Sequence, residues 1–319
     1  MNAKLRILIR SAVTWMLVCL LFETAPSPVH GAASQGFLIL VTSTSTSTSL
    51  TSKGQSVLWR STPDGKATRL LARAGAGTLS DPALAPDGKH VAYMVDHRSL
   101  WQMNADGTQP RQLLAVPSGS SGQLINPRYA PDGRSIAVTM GCCGKFVVYD
   151  VAVDGKQTSR LLGGAGTHIF LDWTRSGTRA LNTANGTLWT ADLNGLKAQA
   201  LGGDAPAAGS FLTAQYSPDG THMVTTLVPA AGEEAAGNAI VLLHADGQYL
   251  TFLTRDLPYD VSVPSWSPDG KSIAFSVGSG TEGATGRQHD LWIMRYDGSH
   301  KQNITRGKLG SVVEVAWSR

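Results

Sequence analysis

The sequence predicts an all-β fold: a ring of six four-stranded antiparallel blades, the β-propeller. Three observations predict it. A Pro-Asp-Gly turn set between an aromatic and an alternating apolar run recurs along the chain. A second Asp-Gly turn follows each of these units, and the two ends of the chain read as two halves of one unit.

The first signal appears as ALAPDGKHVAY from Ala83, RYAPDGRSIAV from Arg128, DWTRSGTRAL from Asp172, QYSPDGTHMV from Gln215 and SWSPDGKSIAF from Ser265. Asp87 and Asp269 lie four repeats apart, so the mean spacing is (269 − 87)/4, about 45 residues, the length of a four-stranded propeller blade. In the Pro-Asp-Gly turns Pro presets φ, Asp bonds the backbone amides beyond it, and Gly takes the positive φ that closes the hairpin; the repeat at Asp172 has Arg-Ser-Gly in their place.

The second signal is an apolar strand that runs into another turn. It is spelled VLWRSTPDG, LWQMNADG, VVYDVAVDG, LWTADLNG, VLLHADG and LWIMRYDG. A short strand such as RQLLA or QNIT follows each one. A repeat therefore reads strand, Pro-Asp-Gly turn, strand, variable loop, strand, Asp-Gly turn, strand.

Five first turns against six second turns leave one unit divided between the termini. The closing VVEVAWSR reads as a first strand, and GFLILVTS near the start reads as a second. Joining Val312–Trp317 to Phe37–Val41 makes the sixth blade and removes two open sheet edges.

The leading residues predict export. Lys4, Arg6 and Arg10 precede an apolar run from Ser11 to Phe22, and VHGAAS offers small residues for cleavage after Ala32 or Ala33. This is the layout of a secretory signal peptide, and a dozen apolar residues fall short of the roughly 20 that span a bilayer. The predicted division is 1–33 as signal peptide and 34–319 as one propeller. Removing the signal takes three cations and Glu23 from a formal charge of +4, which leaves +2. So small and dispersed a charge gives no footprint for nucleic acid. The expected product is a monomer, periplasmic or secreted, without a membrane span.

The units WSPDGKSIAF and LWIMRYDGSHKQNIT resemble the WD40-like repeats of TolB-type β-propellers, and the resemblance covers nearly all of the chain after the signal. It implies a six-bladed propeller that binds protein partners in the envelope. The smaller α/β domain that stands before the propeller in TolB proteins has no counterpart in this reading. Similar propellers cover the active sites of prolyl-oligopeptidase-type peptidases, but no Gly-x-Ser-x-Gly elbow occurs in this sequence. Other similar propellers are lyases of acidic oligosaccharides. Their metal-binding cluster maps onto no residue set in this chain.

Loops following the second and fourth strands of every blade share one face, the natural binding surface of a rigid scaffold. They include 42–55, 141–145, 228–238 and 278–290. Cys142 and Cys143 have two readings: a vicinal disulfide that presents a flat platform to a ligand, or a pair that stiffens a hairpin tip. Asp81, Asn126, Asp172, Gln215 and Glu314 fall near the starts of inner strands. They read either as a ring that holds a cation or polar ligand at the channel mouth, or as caps for turns and backbone. The threonines of the Ser-Thr run are a glycosylated or adhesive edge, or a solvated loop.

No His-Glu-x-x-His or Cys-x-x-Cys spacing occurs, so no zinc and no other cofactor is expected. His97-Arg98 and His289-Asp290 read as loop ends. Tyr129, Trp173, Tyr216, Trp266 and Trp317 occupy equivalent positions, as packing residues between blades, with Leu84 in their place in one repeat. The sequence thus predicts a non-catalytic, exported interaction scaffold, with a carbohydrate-binding or lyase-type propeller as the alternative.

Overall fold

Among the described residues, nine aspartates accept a hydrogen bond from the backbone amide two residues on. They are Asp64, Asp87, Asp106, Asp132, Asp154, Asp219, Asp246, Asp269 and Asp297, at 2.8–3.1 Å. The turns they close punctuate the whole fold. At Asp219 the Ser217 hydroxyl and the Thr221 amide stabilise the carboxylate and hold its pKa down to about 2. Gly88 shows why glycine ends the motif: its φ is +66° and its amide closes the turn onto Ala85 O at 2.9 Å. Gly107 adds a packing reason, because a Cβ there would sit 3.0 Å from Leu71 O of the neighbouring sheet.

The computed structural model describes residues 36–317 apart from 44–55, 75–76, 143–144, 161–168, 185, 193–198, 202–208, 231–236, 258–259 and 280–287. The chain divides into two units, Met1–Ala32 and Ala33–Arg319. The first unit, and with it the predicted signal peptide, lies outside the described residues. So do most of the Ser-Thr run, Cys143, and much of the loops predicted at 228–238 and 278–290.

The second unit is a propeller of four-stranded antiparallel blades. The first three strands are β1 (Leu38–Ser43), β2 (Ser56–Ser61) and β3 (Thr68–Arg73). The second sheet holds β4 (Leu79–Leu84), β5 (His90–Val95), β6 (Ser99–Asn104) and β7 (Arg111–Ala115). The third holds β8 (Gln123–Tyr129), β9 (Ser135–Cys142), β10 (Lys145–Ala152) and β11 (Thr158–Arg160). In the fourth are β12 (Ile169–Trp173), β13 (Arg179–Ala184), β14 (Thr187–Asp192) and β15 (Gln199–Ala200). The fifth contains β16 (Gly209–Tyr216), β17 (His222–Pro229), β18 (Ala239–His244) and β19 (Tyr249–Phe252). The sixth contains β20 (Val261–Trp266), β21 (Ser272–Ser279), β22 (Gln288–Arg295) and β23 (Gln302–Asn303). The last strand, β24 (Ser311–Trp317), pairs antiparallel with β1, so the first sheet runs β24-β1-β2-β3.

Alternation decides which side chains go between sheets, and here both faces are covered. Ile273, Ala274, Phe275, Ser276 and Val277 on β21 are each at most 1% exposed. One apolar layer joins Leu38, Leu40, Val312, Val315 and Trp317 of the first sheet to Ala274 and Leu291 of the sixth. Val313 points the other way, onto the layer shared with the second sheet. Tyr129, Trp173, Tyr216, Trp266 and Trp317 are all buried, at 3–7% exposure, as expected of side chains that bring large apolar area to a core.

Candidate functional site

Counting back from the aromatic at the end of each inner strand, or from Leu84 in β4, sorts the polar residues into two registers. Ala83, Arg128, Asp172, Gln215, Ser265 and Ala316 stand one place before it. Asp81, Asn126, Phe170, Thr213, Val263 and Glu314 stand three places before it. The five residues predicted as one ring therefore belong to two levels: Asp172 and Gln215 to one, Asp81, Asn126 and Glu314 to the other.

At the first level the side chains hold neighbouring blades together. Asp172 Oδ2 accepts the Tyr216 amide at 3.0 Å, Gln215 Oε1 accepts the Trp266 amide at 2.9 Å, and Ser265 Oγ accepts the Trp317 amide at 3.1 Å. Each acceptor sits on one inner strand and each donor on the inner strand of the following sheet. Indole N–H groups add to this: Trp266 Nε1 donates to Gln215 O at 3.2 Å in the same seam as its amide, and Trp173 Nε1 donates to Arg128 O at 3.3 Å between the third and fourth sheets. Between the second and third sheets, where Ala83 offers no acceptor, Gln102 Nε2 donates to the Tyr129 hydroxyl at 2.9 Å. A cavity of about 60 Å³ at this level is lined by all six inner strands, with Arg128, Asp172, Gln215 and Ser265 as its polar side chains.

The second level lies at the loop end of the inner strands, and there the chain bends. In β4, β8 and β20 the residue before a proline adopts a left-handed backbone: Asp81 at φ 49°, Asn126 at 52° and Val263 at 48°. Each accompanies a β-bulge in the pairing with the next strand. Asp and Asn tolerate this conformation, whereas a β-branched residue is strained in it.

Around Asp81 the bend gathers groups from three parts of the sequence. Glu314 Oε2, on β24, accepts the Asp81 amide. The Asp81 carboxylate accepts the Ser80 hydroxyl at 3.0 Å and lies 3.4 Å from His97 Nδ1, in the turn between β5 and β6. His97 and Asp81 side chains keep 12% and 16% exposure, so solvent reaches both. The hydrogen bond to Asp81 raises the His97 pKa above its ordinary 6.5, against the opposing effect of burial. Burial pushes Glu314 well above its ordinary 4.5, and the negative charge of Asp81 adds to this.

The turn carrying His97 is itself secured. Asp96 Oδ1 accepts the Thr78 amide at 2.7 Å, and the Leu124 amide donates to His97 O at 2.7 Å. Arg98 reaches across to donate to Gly122 O at 2.8 Å and Pro117 O at 3.2 Å. Arg98 therefore ends a loop, as the sequence predicts, while His97 joins an acidic group that sequence reasoning missed. Beside His289, Asp290 accepts from Thr305, Asn303 and Gly307 at 2.7–2.9 Å and fastens β22 to the turn after β23.

Cys142 lies 3.0 Å from Ser121 Oγ, which links the tip of the β9–β10 hairpin to the loop before β8. Asn126 contributes its backbone bend to the mouth. Among the described residues no group of three His, Cys, Asp or Glu is placed to hold a metal ion, and no helix is long and apolar enough to cross a membrane.

Four-stranded antiparallel sheets stapled through their inner strands define a β-propeller. The chain belongs to the TolB β-propeller domain family, whose pattern matches residues 41–319. A 70-residue stretch is 34% identical to an uncharacterized peptidase, YuxL, of Bacillus subtilis (strain 168), covering 21% of this chain and only 10% of that protein. Among solved structures, TolB from Acinetobacter baumannii is similar with a TM-score of 0.69 at 20% identity, over 89% of this chain and 66% of that one. The structure of putative TolB from Agrobacterium tumefaciens follows at 0.62 and 16% identity, over 85% of this chain and 89% of that one. At these identities the likeness to solved structures is one of fold.

Proposed function

We propose that this protein is an exported, non-catalytic propeller that binds a protein partner in the cell envelope, in the periplasm or after secretion. In this reading residues 1–33 are a signal peptide, the remainder is a single domain, and the monomer is the working form. The six sheets form one closed ring, fastened where β24 pairs with β1.

One observation carries the reading. The side-chain acceptors along the axis are occupied by backbone amides of the next blade, and the cavity between them measures about 60 Å³. Recognition then falls to the loop face, where Asp81, His97 and Glu314 meet and which Cys142 and Asn126 share. Binding residues concentrate on loops carried by a rigid scaffold, and family membership supports the same role.

Photo-crosslinking in native envelopes tests this. A crosslinking residue at Ser121 on the loop face captures one stoichiometric partner, and one at Lys156 or Lys271 on the Asp-Gly face captures none. Equal capture from both faces, or none from either, contradicts the proposal.

The acid and imidazole groups at Asp81, His97 and Glu314 favour a second reading, a carbohydrate-binding or lyase-type propeller that uses the channel mouth. Oligouronide and glycan arrays separate the two. Binding that is lost in Asp81→Asn with no protein partner captured decides for the second.

A further inference from the structure

The rim opposite the loop face carries a pair of imidazoles that neither the seams nor the loop-face mouth uses. His222 opens β17 and His244 closes β18, and the register of the two strands sets them directly opposite each other. In the adjacent pair, the Ala245 amide donates to Thr221 O at 3.0 Å. That makes 222 and 244 a non-hydrogen-bonded pair, the kind in which opposed side chains approach most closely. Their rings stack at 5.7 Å between centroids and 23° between planes.

The equivalent pair in the other Asp-Gly hairpins is His90 with Asn104, Ser135 with Ala152, Arg179 with Asp192 and Ser272 with Arg295. Only the fifth sheet among these sets two metal-ligating rings together.

We propose that His222 and His244 form a two-histidine binding site for a borderline divalent metal ion, Cu²⁺ or Zn²⁺, on the Asp-Gly face. His222 Nδ1 lies 2.7 Å from Thr221 Oγ1. With Nδ1–H as the donor to this oxygen, the Nε2 lone pair serves as the ligand, the arrangement usual for metal-bound histidine. His244 is exposed, so rotation about its own side-chain bonds brings its nitrogen to the same ion, within the about 2.0–2.1 Å that imidazole ligation needs. The Asp219 carboxylate interacts electrostatically with His222 and adds favourable charge beside the ion. With two protein ligands the site is open, and water completes the coordination. Of the first-row divalent ions Cu²⁺ binds such nitrogen sites most strongly.

The test titrates CuCl₂, and separately ZnCl₂, into the full chain purified without a histidine tag, near neutral pH. Calorimetry is expected to give one Cu²⁺ per chain, and electron paramagnetic resonance is expected to show two imidazole nitrogens. His222→Ala and His244→Ala should each weaken binding at least about tenfold and remove one nitrogen from the spectrum. His90→Ala, at the same rim position of the second sheet, should bind as wild type does. Far-UV circular dichroism checks each fold, and His244→Gln replaces any variant that melts early. The proposal is overturned if the wild-type chain takes up no Cu²⁺, or if both fifth-sheet variants bind as tightly as wild type.

Discussion

The two ends of the inner strands do different work with similar side chains. At the level of Asp172, Gln215 and Ser265, each oxygen accepts a buried backbone amide of the next blade, and three seams are made alike. At the loop end, Glu314 also accepts an amide, that of Asp81, but the amide belongs to a residue with its own carboxylate and a histidine on it. The first arrangement satisfies the backbone across the seam. The second leaves titratable groups facing one another within reach of solvent. A polar residue near a channel is therefore informative only once its partner is known.

Removing β24 should break this contrast most completely, because both levels depend on it. Deleting Ser311–Arg319 takes away Val312, Val315 and Trp317, which are at most 9% exposed, together with Glu314, and uncovers β1. An aggregating chain without a cooperative melt is expected in calorimetry. A truncated protein that melts like the full one contradicts the role given to this strand.

Cutting a single staple should cost less. Gln215→Ala leaves the Trp266 amide buried without its acceptor, and an orphaned buried amide costs about 1–3 kcal/mol. Urea unfolding should show a lower midpoint with an unchanged slope. A loss below about half a kcal/mol would mean that water replaces the amide side chain.

Val263 sharpens the comparison from the other side. It holds the same left-handed bend as Asp81 and Asn126 but with a branched Cβ, and a residue in such a region stores about 1–3 kcal/mol of strain. Val263→Asn should stabilise the protein by about 1 kcal/mol by the same unfolding measurement, once the loss of a partly buried isopropyl group is set against the relief. Destabilisation would show that its packing against the first-sheet layer outweighs the strain.

The smallest effect concerns pH, and its sign follows from two raised pKa values. Glu314 keeps its proton in the folded state above 4.5, where the unfolded chain has lost it, so stability falls as pH rises from there through the folded value. His97 is raised above 6.5, so the stability it contributes is full below that pH and is lost as pH rises through its folded value. Both groups favour the folded state on the acid side. Glu314→Gln should remove the lower part of this slope and His97→Gln the upper part. A pH–stability curve that neither substitution changes contradicts the assignment.

The repeat was legible in the sequence because its signals are local. An aspartate two residues before its amide partner and a glycine with positive φ are spelled in four letters, and nine such turns form as the spelling predicts. The aromatic positions were legible for the same reason, since they stand at a fixed distance from those turns. The candidate site was legible only in part. The sequence places all five near strand starts, but Asp172 and Gln215 stand next to last in β12 and β16, whereas Asp81 and Asn126 stand further back, at the bends before Pro82 and Pro127. Counting back from the aromatics separates them; counting forward from the loops does not. The meeting of Asp81 with Glu314 joins residues 233 apart in sequence. It depends on which blade follows β24 in space, and no local pattern encodes that. His97 looked like a loop end because its neighbour Arg98 is one.

The central claim is that the polar residues one place before the aromatics bind neighbouring blades rather than a ligand. Amide hydrogen exchange at Trp266 in wild type and Gln215→Ala tests it most directly. The claim predicts faster exchange at this one amide in the variant, beyond what the drop in global stability produces. Unchanged protection of the Trp266 amide would contradict it.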